Sequence, residues 1–181
     1  MAGLSNSVVR PDGAPTAMVQ RSGGWRPTLV ATGAALLVAA SGGAATDTGL
    51  WYQALLKPPW QPPDWLFPVA WTAIFAMTAL AGVRAWQAEP DAAGRRKVLV
   101  AYALNGLLNV LWSVLFFMLR RPDWALVEVV PLWLSVLLIL VVSGRRDRAA
   151  GWLLLPYLLW VGFAGVLNWK IVEANGPFSG V

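Results

Sequence analysis

Five long apolar runs, broken by short charged or proline-rich stretches, set the pattern of this chain. They cover residues 28–46, 66–86, 98–119, 124–142 and 152–172. Each reaches or nearly reaches the ~20 apolar residues that a helix needs to cross a hydrocarbon layer. The breaks are Lys57-Pro58-Pro59 through Pro62-Pro63, Glu89 to Lys97, Arg120-Arg121-Pro122, and Arg145-Arg146-Asp147-Arg148. Lipid offers no partner to a bare peptide group, so each run must close its hydrogen bonds internally, as a helix. The pattern predicts an all-α integral membrane protein, a five-transmembrane-helix bundle over residues 28–175. Buried helices of a soluble protein are the alternative, but five in succession leave no amphipathic layer to cover them. Residues 1–27 are polar and rich in Gly, Pro and Ser, and read as a disordered N-terminal tail. Residues 176–181 are a short C-terminal tail.

Composition sharpens this picture. Of 181 residues, 57% are hydrophobic and 13% charged, about half the charged share of a soluble domain, ~25%. The chain has no Cys and no His. Disulfides, thiol chemistry, His-based acid–base catalysis and the Ser-His-Asp triad are therefore excluded. The same absence argues against zinc and His-ligated haem, and no metal site is expected. The net charge of +5 is carried mostly between the apolar runs, which suggests membrane orientation and no nucleic-acid binding. Arg10, Arg21, Arg26, Arg84, Arg95, Arg96, Lys97, Arg145, Arg146 and Arg148 fall on the N-terminal side. Lys57, Arg120, Arg121 and Lys170 fall on the other. Ten of fourteen basic residues thus predict a cytosolic N-terminus and an external C-terminus.

The twelve tryptophans divide by depth. Trp65, Trp86, Trp124, Trp152 and Trp169 lie near span ends, where an indole suits the headgroup layer. Trp71, Trp112, Trp133 and Trp160 lie deeper, where an indole N–H favours a pocket or an inter-helix bond. Polar residues interrupt the apolar spans as well. Asn105 and Asn109 are four apart on the third span, with Trp112 and Ser113 continuing their face by one turn. Two amides in a membrane interior demand partners, from other helices or from a ligand. The fifth span carries Tyr157, Trp160, Ala164 and Asn168. The fourth carries Glu128, a suspect for function in any membrane interior and the one candidate for proton coupling. On the first span Ala31, Ala35, Ala39 and Gly43 form a stripe of small residues, suited to close packing within the bundle or to a dimer seam.

The densest signal runs from Trp51 to Trp71, WYQALLKPPWQPPDWLFPVAW. Its prolines make a stiff, extended loop, long enough to lie over one mouth of the bundle. This run resembles the signature of the tryptophan-rich sensory protein family, also called the translocator protein or peripheral-type benzodiazepine receptor family (TspO/MBR). Further matches are Asn105, Asn109 and Trp112 with Phe116-Phe117 after them, and Pro156, Tyr157 and Trp160 followed by Leu167-Asn168. The resemblance covers roughly residues 28–175. It implies a five-helix bundle, often a homodimer, that binds porphyrins such as protoporphyrin IX in a cavity capped by the first loop. Isoquinoline carboxamide and benzodiazepine drugs occupy the same cavity in family members. The ligand-binding residues it implies are Trp71, Asn105, Asn109, Trp112, Phe116, Tyr157, Trp160 and Ala164, with Trp51 and Trp60 in the lid. Animal members have a proposed cholesterol motif in which Tyr is followed four residues later by Arg. Trp169 and Glu173 stand there in this chain, so cholesterol is a doubtful ligand.

Three functions follow from these readings. The first is a porphyrin-binding membrane sensor or regulator, in the cytoplasmic membrane of a bacterium, with a tetrapyrrole as ligand and no covalent cofactor. Lys57 is the basic residue of the first loop available to porphyrin propionates. The second is a light-dependent enzyme that degrades protoporphyrin IX. The chain has no nucleophile–base pair, so the excited pigment would supply the chemistry, and the resemblance points to Trp71 and Trp160 as its candidate catalytic residues. The third is a porphyrin or lipid transporter, which the lack of inverted repeats and of a buried charge relay disfavours.

Overall fold

The computed structural model describes residues 25–178. The tail expected over 1–27 lies outside them except for its last three residues, which begin the first helix. Helix α1 spans Trp25–Ala45, α2 Leu50–Ala54, α3 Leu66–Ala88, α4 Ala92–Ser113, α5 Pro122–Gly144 and α6 Arg148–Asn175. Apart from the short α2, these helices are long and apolar enough to cross a membrane, five among the described residues. The protein is an all-helical integral membrane bundle.

Helices α4 and α6 begin a turn or more before their apolar runs, where side chains cap them. Asp91 accepts the Gly94 N–H at 2.7 Å, and Asp147 accepts those of Ala149 and Ala150 at 2.9 and 3.2 Å. These caps satisfy amides that the first turn leaves open. At its other end α4 widens into a π turn, Val114–Met118. There the Leu119 N–H reaches the Val114 carbonyl at 2.9 Å, and Arg120 then leaves the helix at φ 51.

Helices α5 and α6 form the most extensive contact, with α4 against α5 and α3 against α6. Their core holds Ile74, Ala101, Leu132, Val136, Ile139, Leu154 and Val161. Close to the α5–α6 connection, a Cβ on Gly151 would sit 2.9 Å from the Gly144 Cα, so the two backbones touch where only glycine fits. Helix α1 packs against α3 and α4, yet of its described residues Ala45 alone is buried. One side of α1 faces outward and another borders an internal space. Ion pairs join the connections on the N-terminal side: Arg84 to Asp147 at 2.9 Å and Arg146 to Glu89 at 3.2 Å.

Candidate ligand cavity

Between α1, α3, α4 and α6 lies a cavity of about 1010 Å³, at the upper end of the ~300–1,000 Å³ usual for small-molecule sites. The small residues of α1 make the room. Ala35, Ala39 and Gly43, three of the four in the stripe, line it, as does Gly42. The stripe therefore borders an opening over much of its length, where close packing or a dimer seam was expected.

Aromatic side chains form the opposite walls. Trp71 on α3 stacks on Phe75 with ring centres 5.3 Å apart and planes at 27°, and Trp112 on α4 stacks on Phe116 at 5.0 Å and 24°. Trp160 on α6 meets Phe67 edge-on at 5.8 Å. Trp71, Asn109, Trp112, Phe116, Trp160 and Ala164 all line the cavity. The consecutive Phe116 and Phe117, within the π turn, both do so as well. Their ring centres lie 4.7 Å apart.

Four other residues named from the sequence stand outside the lining. Asn105 lies behind the wall and donates through Nδ2 to Ser135 of α5 at 2.9 Å. Four residues carry a helix about 40° past a full turn; that offset separates Asn105, which faces α5, from Asn109, which reaches the cavity. Tyr157 is likewise one layer back. Its hydroxyl accepts a bond from Asn109 Nδ2 at 3.1 Å, and its ring meets the Trp71 edge at 6.0 Å. Both residues support the wall. Trp51 packs edge-on against Phe116 at 6.1 Å, and Trp60 against Phe163 at 5.9 Å. These two pin the first loop to the bundle.

That loop crosses the cavity mouth, with Tyr52 and Asp64 lining its inner side. Gln61 Nε2 donates to the Tyr52 hydroxyl and to Asp64 Oδ1, both at 3.3 Å. Burial pushes the Tyr52 phenol above its usual range, and the nearby charge of Asp64 adds to that shift. Tyr52 is thus a neutral hydroxyl at the mouth. Lys57 Nζ sits 3.9 Å over the Tyr52 ring, bringing one cation to the same place. Asn175, at the end of α6, holds the loop with a two-way clasp. It accepts the Leu56 N–H and donates to the Leu56 carbonyl, each at 2.8 Å.

Sequence reasoning missed Phe67, Phe75, Tyr52 and Asp64 as lining residues. Their aromatic and polar character gave a signal, but which face of α3 turns inward is fixed only by packing. Of the deep tryptophans, Trp133 packs on the core, with its indole nitrogen against Gly162.

Comparison with known proteins is consistent with this geometry. The model of the TspO/MBR family matches residues 29–173. The chain is 41% identical over 129 residues to the tryptophan-rich protein TspO of Chlorobaculum tepidum, covering 69% of this chain and 79% of that protein. It is 37% identical over 143 residues to the tryptophan-rich sensory protein of Cereibacter sphaeroides, covering 76% and 88%. To the translocator protein of Bos taurus it is 32% identical over 129 residues, covering 69% and 75%.

Proposed function

The chain belongs to the TspO/MBR family, and on that premise we propose that it is a membrane sensor or regulator whose cavity binds a porphyrin. The observation that carries this reading is the cavity's chemistry: three indoles from three helices around one large, mostly apolar space, with the amides of Asn109 and Asn168 in its lining. A flat macrocycle gains from ring stacking by ~0.5–1.5 kcal/mol per aromatic pair beyond the area it buries. Asn109 spends its N–H on Tyr157, and its oxygen accepts no bond from the described residues. That oxygen is suited to the central N–H groups of a free-base porphyrin. Lys57 at the mouth is suited to the propionates. With no His or Cys, the chain lacks the strong axial ligands of haem, so the metal-free pigment is the better match.

Titration of the purified protein with protoporphyrin IX, followed by quenching of tryptophan fluorescence, tests the reading. Saturable quenching is expected in wild type, and at least tenfold weaker binding in Asn109→Leu and Trp160→Leu. Quenching that is equal in all three proteins would overturn the site. A second reading, light-driven degradation of the pigment, is favoured by the presence of both Trp71 and Trp160 in the cavity lining. Illumination separates the two. Loss of porphyrin absorption that needs both indoles supports an enzyme, and an unchanged spectrum leaves binding alone. We also place the N-terminus in the cytosol of a bacterium, on the charge asymmetry of the connections.

A further inference from the structure

The acids that form ion pairs among the described residues sit at or near helix ends: Asp147 with Arg84, Asp123 with Arg121, Glu89 with Arg146 and Glu173 with Lys170. Glu128 takes part in none of these. It lies inside α5, is 6% exposed, and neither carboxyl oxygen has a hydrogen-bond partner among the described residues. An ionised carboxylate buried this way would lose its hydration and gain nothing in return. A neutral carboxylic acid avoids that penalty.

Helices α4, α6 and α3 and the π turn pack against α5, and none of them brings a cation to Glu128. From α6 the titratable group near enough to interact with it electrostatically is Tyr157. The other charged groups of α6 are Arg148 at its start, and Lys170 and Glu173, which pair with each other. On α4, Arg95, Arg96 and Lys97 belong to the opposite end, and Tyr102 there bonds Ser143 at 3.0 Å. Arg84 of α3 is held by Asp147. On α5 itself, Asp123 is held by Arg121. The π turn contains no titratable residue.

Glu128 also stands one layer behind the cavity. Its neighbour Val129 lines that space, and Tyr157 accepts a bond from Asn109 in the wall. We propose that Glu128 is a proton-binding site of the bundle interior, held as a neutral acid behind the cavity wall. Loss of its proton would place a full negative charge beside Tyr157, and so change the polarity that Asn109 presents to the cavity. The proposal concerns the proton alone and stands whatever ligand the cavity takes.

Infrared spectroscopy of the full-length protein in lipid nanodiscs at neutral pH tests it. A carboxylic-acid carbonyl stretch is expected in wild type, absent from Glu128→Gln and moved but retained in Glu128→Asp. Tyr157→Phe should shift the wild-type band, because the electrostatic neighbour of the acid is altered. A wild-type spectrum without such a band would overturn the proposal. So would a band unchanged in Glu128→Asp, a variant that keeps the acid should the Gln variant fail to fold.

Discussion

Gly151 has no room for a side chain, since an added Cβ would meet the Gly144 Cα at 2.9 Å. Backbone cannot swing aside as a flexible side chain can, so α5 and α6 would have to separate. Gly151→Ala should therefore lower stability by ~1–3 kcal/mol, the usual cost of overpacking. Gly33 on α1 is the control, in the same helical setting but with nothing within 4 Å of the place a Cβ would take. Gly33→Ala should be neutral or stabilising by up to ~1 kcal/mol. Thermal unfolding in detergent reads both, and equal melting temperatures for the two variants would contradict the close contact. The amides show how far single residues could be read in advance. Asn105 and Asn109 were legible as a buried polar pair that needed partners. Which one would meet the cavity was not, because a 40° difference along one helix matters only once its neighbours are placed.

At the scale of elements, apolar runs located the helices but not their ends. Helix α4 starts at Ala92 and α6 at Arg148, where capping aspartates extend the helix through residues too polar for hydrocarbon. The π turn at Val114–Met118 left no mark in hydropathy, since its five residues are as apolar as those around them. Asp147 joins two elements, capping α6 while pairing with Arg84 of α3. Burial pushes its carboxyl upward, but the bonds from Arg84, Ala150 and Ala149 outweigh this and leave it below the usual range. A lowered value in the fold means stability that is fully present above the unfolded carboxylate value, ~3.9, and is lost as pH falls through the folded one. Asp147→Asn should thus flatten part of the acid limb of the stability curve below pH ~4. A curve that keeps the wild-type slope would show that the contact does not respond to protons. The first loop yields a second prediction. Its clasp to Asn175 and its prolines both hold it across the mouth. Exchanging Pro58, Pro59, Pro62 and Pro63 for Gly and Ser restores freedom to the open loop. Porphyrin binding should weaken by ~1–3 kcal/mol, roughly 5- to 150-fold, mostly as faster release. Asn175→Ala should act in the same direction. Stopped-flow fluorescence measures release, with circular dichroism to verify helicity, and unchanged off-rates would reduce the loop to a connector.

The whole molecule combines a lipid-facing bundle with an internal space that no single span encodes. The residues for its aromatic walls were evident in the chain, and the space itself arises because α1 presents Ala35, Ala39 and Gly43 to them. A small stripe in a sequence signals close approach as readily as an opening, and only the position of α3 and α4 decides between them. Orientation is a property of this scale too, and it can be tested directly. Among the described residues, Arg84, Arg95, Arg96, Lys97, Arg145, Arg146 and Arg148 lie at the α1 N-terminal side of the bundle, while Lys57, Arg120, Arg121 and Lys170 lie at the other. Several of the latter are turned toward aromatic rings: Lys57 over Tyr52, Arg121 over Trp124 and Lys170 over Trp169. Cations near the spans hold their side of the membrane in the cytosol, and acids count for little in that balance. On that excess we propose that the α3–α4 and α5–α6 connections face the cytosol, and five spans would then carry the C-terminus to the outside. Alkaline phosphatase fused after Val181 should be active and a fluorescent protein fused there dark. The reverse pair of results would invert the bundle, placing the Pro-rich loop and the cavity mouth on the cytosolic face.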